Sequence, residues 1–236
     1  MSEKPDAATE VAAIKARYAR RANLPKDREA VFSPEVLLRA QANERALTGL
    51  LRDLADRPLS EYSVLEVGCG EGINLLQLIR LGFDPARLAG NDLRDEALVA
   101  ARRILPATVR FYSGEASTAE FDTAGFDLVM QSTMFSSILD AGLQQAVAAR
   151  MWALTRSGGA IVWYDMAYDN PWNPDVRGVP LARIRELFPK GAVSARRVTL
   201  APPLGRRAAA LHPAFYRLLD AMPFLRSHLL CWIAKA

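Results

Sequence analysis

The residues with the most chemical content begin at Val64–Gly72, VLEVGCGEG. One acid, Glu66, stands in an apolar run there, and three glycines, Gly68, Gly70 and Gly72, follow at alternate positions. An apolar run that ends in spaced glycines and passes into a helical pattern, Ile73 to Leu81, reads as strand, tight loop and helix. Glycine permits positive φ and lets a ligand lie against bare backbone, while a helix start offers free N–H groups. The chemistry expected is binding of a nucleotide-type ligand at the carboxyl end of a parallel strand. The dinucleotide pattern G-x-G-x-x-G would need its third glycine where Ile73 stands. A charge buried in a strand is costly without a partner, so Glu66 either caps loop amides or serves the ligand. Asp92 closes a second short run, Leu88–Asn91, 20 residues past Gly72. A carboxylate there can accept from two hydroxyls at once, or cap the helix that begins near Asp95.

A second polar group follows a later strand pattern. Tyr164 and Asp165 end the run Ala160–Asp165, and the loop Asp169–Pro180 (DNPWNPDVRGVP) carries Asp169, Asn170, Asn173, Asp175 and Arg177. Polar residues gathered on the rim that carries the glycine loop suit a second reactant, although local hydrogen bonds of a proline-rich turn explain them too. His212, just before Pro213, is a candidate base or an ordinary surface histidine, and His228 reads as structural. The two cysteines, Cys69 and Cys231, have no cysteine or histidine neighbour at ligand spacing, so no metal site or disulfide framework is expected.

The elements that must position these groups alternate. Helices are expected over Val11–Ala22 and Pro34–Ala55, the second with Ser33 as N-cap, then the strand of the glycine loop, the helix Ile73–Leu81 stopped by Gly82, and the strand ending at Asp92. A helix Asp95–Leu105, strands Thr108–Tyr112 and Phe126–Gln131, and a helix Asp140–Leu154 come next. Ser157–Gly158–Gly159 is expected to turn into strand Ala160–Asp165. The tail reads as helix Val179–Phe188, strand Ala192–Leu200, a broken helix Pro203–Asp220 and strand Ser227–Ala234. Such alternation predicts an α/β, doubly wound sheet behind a helical N-terminal extension of residues 1–60, with a domain over 61–236, a loop 165–180 beside the second reactant and a C-terminal cap 203–226.

Composition narrows the partners. The 236 residues suit one α/β domain with decoration, and 50% hydrophobic against 24% charged residues suits a sizeable core. Net charge is +4, and the arginine doublets are scattered rather than gathered in a stripe, so nucleic acid is not the expected partner. No apolar run approaches a membrane span and the polar N-terminus shows no secretory signal, so a cytoplasmic location is expected. Apolar tail residues such as Phe224, Leu225 and Trp232 could pack internally or support a homodimer.

The acid before GxGxG, with Asp92 downstream, resembles motif I of class I S-adenosylmethionine (SAM)-dependent methyltransferases, and the resemblance runs from about Tyr62 to Lys235. It is closest to the small-molecule branch of bacterial biosynthetic clusters. The resemblance implies a Rossmann-like sheet of seven strands, the last antiparallel and inserted beside the sixth. It implies SAM as cofactor, with Glu66 under its amino group, Gly68, Cys69 and Gly70 along its methionyl part, Asp92 at its ribose, and Asn74 and Leu93 as further cofactor-binding residues. Gly114, Glu115 and Ala116 would meet adenine, although the family more often has Asp at the position of Glu115; Gln131 would reach the methionyl end, and Tyr18 with Arg21 the carboxylate from a lid helix. Tyr164, Asp165, Asn170, Arg177 and His212 are the expected acceptor-binding or proton-handling residues. After Phe126–Gln131 the chain reads Ser132–Thr133–Met134–Phe135, without the Asp/Asn-Pro-Pro-aromatic tetrad or Pro-Cys of nucleobase-methylating enzymes. The expected activity is methyl transfer to an O, N or C acceptor of a small molecule, a biosynthetic intermediate such as a natural-product or glycan precursor. An RNA or protein methyltransferase and a non-catalytic SAM-binding subunit are the alternatives; Ile73 disfavours a nicotinamide oxidoreductase.

Overall fold

The protein is described here by a computed structural model covering residues 7–22, 33–121 and 125–236. Seven strands form one sheet: β1 (Val64–Val67), β2 (Leu88–Asp92), β3 (Arg110–Ser113), β4 (Phe126–Ser132), β5 (Thr155–Met166), β6 (Ala192–Leu200) and β7 (Arg226–Ala234). Their order is β3-β2-β1-β4-β5-β7-β6. β1 to β5 run parallel, while β7 is antiparallel to both β5 and β6 and lies between them. The expected seven-stranded α/β sheet with an inserted antiparallel last strand is the observed one.

Helices cover both faces because the central strands are apolar on both. On one face α1 (Ala7–Ala22), α5 (Ala141–Leu154) and α6 (Leu181–Leu187) bury Ile14, Leu143, Val147 and Ile184 against Val67, Val129 and Trp163. On the other, α2 (Pro34–Leu54), α3 (Ile73–Leu81) and α4 (Asp95–Ile104) bury Leu50, Leu51, Leu75 and Leu98 against Val64, Leu88, Met130 and Val162. The two helices ahead of the sheet therefore part company, α1 to one face and α2 to the other. α7 (Pro202–Leu211) and α8 (Pro213–Asp220) close a smaller cluster with Leu38 of α2 and Leu200 of β6. The break between them falls at His212, whose Nδ1 accepts from the Ala214 amide at 3.1 Å.

Ser33 is the N-cap of α2 as expected, in extended conformation and without a side-chain cap bond, and Pro34 at the helix start supplies the φ and removes one orphan N–H. One local expectation is corrected. The glycine turn expected at Ser157–Gly159 lies inside β5, as an irregularity where pairing jumps from Phe126↔Thr155 to Leu128↔Ala160. Gly159 is needed there, since a Cβ would sit 2.6 Å from the Asp127 carbonyl oxygen.

Candidate functional site

At the carboxyl ends of β1, β2 and β4 the chain encloses a cavity of about 390 Å³. Strand order reverses at β1, β2 lying on one side of it and β4 on the other, the place where doubly wound sheets bind ligands. Its floor is the glycine loop. Gly68 has φ +71°, and a Cβ there would lie 2.6 Å from the Met134 Cγ, so the β4 loop can close over it only because it is glycine. The Cys69 amide donates to the Asn91 carbonyl at 2.8 Å, while a Cβ on Gly90 would lie 2.7 Å from the Cys69 Sγ. Cys69 thus offers backbone to the cavity and packs its thiol against β2.

Glu66 lies beneath this floor, fully buried. Burial pushes its carboxyl up to about 8, opposed by the Asn74 amide that donates to Oε1 at 2.6 Å and reinforced by nearby Asp92. Its Oε2 is buried without a partner. Asn74 lines the cavity and Glu66 does not, so the acid acts by holding Asn74 and by offering one unused acceptor behind it. Asp92 faces the cavity from β2. Its Oδ2 accepts from the Gly70 amide at 2.8 Å and its Oδ1 from the Arg94 amide at 2.9 Å. Both bonds are local, and a carboxylate with about four acceptor positions keeps capacity for ligand hydroxyls. Leu93, Gly114, Glu115 and Ala116 complete that wall; Gly114 has φ +111° and open space where a Cβ would stand. The Glu115 carboxylate accepts from the Ser117 amide at 2.7 Å, which makes it a turn-former at the rim.

The opposite wall comes from α1 and the β4 loop. Val11, Ile14 and Tyr18 of α1 line it together with Thr133, Met134, Ser137 and Ile138. α1 is tied down by a buried pair: Arg17 donates to Glu10 at 2.7 Å and to the Ser137 carbonyl at 3.0 Å, and Glu10 accepts from the Leu139 amide at 2.8 Å. Tyr18 carries the Arg94 guanidinium 4.3 Å from its ring centroid. The side chain of Arg21 lies outside the described residues. Thr133 holds φ +54°, uncommon for a non-glycine and frequent where strain serves a site.

The residues expected to act on the acceptor are not brought to this cavity. Asp165 is fully buried on the other side of the β4 loop, accepting from the Ser136 and Met166 amides at 3.0 and 2.8 Å, and burial pushes it up to about 6. It props the segment Phe135–Ser137; side chains alternate along a strand, so Asp165 and Tyr164 cannot face the same way. Asn170 accepts from the Trp172 amide at 3.1 Å, shaping its own turn. Arg177 donates to the Leu139 carbonyl at 3.2 Å, and the Arg177 amide donates to the Ser136 carbonyl at 2.8 Å. With Asp175 bonded to Arg20 of α1 at 2.8 Å, the 165–180 loop braces the cavity wall from behind. His212 is an exposed helix cap away from the cavity. Gln131 lies outside this cavity as well: its side-chain oxygen accepts from the Met134 amide at 3.1 Å and its Nε2 donates to the Tyr164 carbonyl at 3.3 Å, tying β4 to β5. Sequence reasoning missed Arg94 and the α1 side chains Val11 and Ile14. Arg94 was within reach two residues after Asp92, whereas nothing local marks which helix covers a rim.

The geometry agrees with the comparisons to known proteins. Residues 64–159 match the family model described as a methyltransferase domain. No curated protein sequence matches the chain. A TehB-like SAM-dependent methyltransferase from Corynebacterium glutamicum superposes with TM-score 0.55 at 16% identity, over 96% of this chain and 97% of the other. A SAM-dependent methyltransferase from Mesorhizobium loti gives 0.59 at 16%, over 84% and 100%. Phosphoethanolamine N-methyltransferase 2 of Haemonchus contortus, solved with SAM, gives 0.58 at 16%, over 81% and 53%. Residues 64–159 are thus similar to a methyltransferase domain, and the fold is that of the SAM-dependent methyltransferases it superposes on. The cavity suits SAM: an orphaned buried acceptor lies behind Asn74 for a cationic group, and a partly unused carboxylate faces inward for hydroxyls.

Proposed function

We propose that the chain transfers the methyl group of SAM to a small-molecule acceptor. SAM, when bound, supplies a methyl carbon already activated by a sulfonium sulfur. The chain's residues bind and orient. Asn74, backed by Glu66, stands at the amino group, Asp92 at the ribose, and Leu93, Gly114 and Ala116 at adenine. Tyr18 and Arg94, stacked at the mouth, meet the carboxylate, for which a guanidinium fork is suited. Holding acceptor, methyl and sulfur in line can supply much of the acceleration, so a general base is optional. None of the described residues that line the cavity is a histidine.

The observation that carries the small-molecule reading is α1 itself. It lies across the mouth, with a buried ion pair holding it to the β4 loop, so an acceptor must fit beneath a helix. A macromolecular acceptor would instead need an open rim beside a one-signed surface. Incubation with methyl-tritiated SAM and a cell extract split by size tests this. Label is expected in the fraction passing a small-molecule filter; label confined to RNA or protein would overturn the reading.

A further inference from the structure

Beside the cofactor cavity lies a second, narrower one of about 60 Å³, between α2, α3 and the β4–β5–β7 part of the sheet. The two share Asn74 and Ser132 as lining residues, so the slot adjoins the cavity where α3 follows the glycine loop. Its walls are apolar, Leu47, Met130, Val162 and Leu230 among them, and its polar groups all come from uncharged side chains.

At its far end three side chains from distant parts of the chain close a ring. Asn43 donates to the Tyr164 hydroxyl at 2.8 Å, Tyr164 and the Thr199 hydroxyl are 2.8 Å apart, and Thr199 donates to the Asn43 carbonyl oxygen at 2.6 Å. Thr199 is buried with φ +63°, an outlier for a β-branched residue that the surrounding packing must hold in place. His228 stacks on the Tyr164 ring at 5.2 Å and 12°, and burial with the nearby Arg39 charge pushes it down to about 4, so it too is neutral. Arg39 is itself paired with Glu35. Among the described residues that line the slot, Gln77 has its Nε2 buried without a partner. A buried amide donor left unpaired is costly and calls for an oxygen.

We infer that this slot receives the reacting end of the acceptor, and that the acceptor is an uncharged molecule presenting an oxygen, carbonyl or hydroxyl, to Gln77, with the Asn43–Tyr164–Thr199 ring as a rigid floor. The inference rests on the methyltransferase reading and adds the acceptor's class and the elements that hold its reacting end, α2 and α3 rather than the 165–180 loop. An ionised head group would be stripped of water with no counter-charge in the slot, which excludes carboxylates and ammonium groups.

The slot has room for only a few heavy atoms, so short probes test it. Propanamide, propionate and propylammonium are compared by saturation-transfer NMR on the full chain with S-adenosylhomocysteine in the cofactor cavity. Propanamide is expected to give at least a fivefold stronger signal than either ion, and Gln77→Leu, similar in size, to abolish it. The melting shift caused by SAM is measured on both proteins and is expected to be unchanged by the substitution. Equal signals for the three probes, or a propanamide signal that survives in Gln77→Leu, overturns the slot assignment. Loss of the SAM shift in the unmodified chain would instead overturn the methyltransferase reading beneath it.

Discussion

At the scale of single residues, Glu66 concentrates the site's electrostatics. Its carboxyl is raised to about 8 in the folded chain from an ordinary value near 4.5. Between those values the folded state holds a proton that the unfolded state has lost, so stability falls as pH rises from about 4.5 to about 8. Glu66→Gln keeps the shape and removes the titration. The variant's melting temperature relative to the parent is expected to rise from pH 5 to pH 8, while SAM affinity at pH 8 falls at least tenfold. A constant gap across that range would show that Glu66 is not held protonated. Asp92 behaves differently, because its local bonds to Gly70 and Arg94 shape the loop as well as serve a ligand. Much of this was legible in sequence: an acid inside an apolar run and alternating glycines have few other uses. The orphaned Oε2 was not, since it depends on which side chains three other elements bring near.

At the scale of elements, α1 is the part whose role depends on tertiary contact. Its alanine-rich sequence announced a helix, but its place across the cavity rests on Glu10 and Arg17 meeting the Ser137 carbonyl and Leu139 amide. Removing one member of a buried pair leaves the other unpaired and costly. α1 can escape that cost by lifting off, because the sheet does not depend on it for pairing. Arg17→Ala is therefore expected to weaken SAM binding about tenfold and to speed trypsin cleavage within residues 7–22, with little change in the main melting transition. Unchanged cleavage and affinity would mean that α1 is held by other contacts. The 165–180 loop shows the opposite lesson. Its polar residues looked like ligands, yet Asn170 and Asp175 serve a turn and α1, and Arg177 buttresses the β4 loop. Polar residues near a rim can brace a site without entering it, and sequence spacing does not tell the two apart.

At the scale of the whole molecule, strand order was recoverable because alternating strand and helix leaves few ways to build a sheet, and the glycine motif marks where the order reverses. The anchoring of the sheet's far end was not recoverable. Asp127, at the start of β4, binds Arg57 ahead of β1, Arg156 in β5 and both Ser63 groups, which hold its carboxyl well below the usual range despite burial. A depressed carboxyl contributes stability above its unfolded value and loses it as pH falls. Asp127→Asn is expected to cost about 1–3 kcal/mol in urea unfolding at pH 7, with the gap to the parent narrowing below pH 4, and to leave SAM affinity unchanged. The account's central claim is that the cavity at the β1–β2–β4 rim is a SAM site, and melting curves with SAM, S-adenosylhomocysteine and NAD in parallel test it most directly. At about a hundredfold excess over Kd, mass action adds about 2.7 kcal/mol, or roughly 5–10 °C for a chain of this size. SAM and S-adenosylhomocysteine are expected to give that shift and NAD none; a shift with NAD alone would contradict the claim.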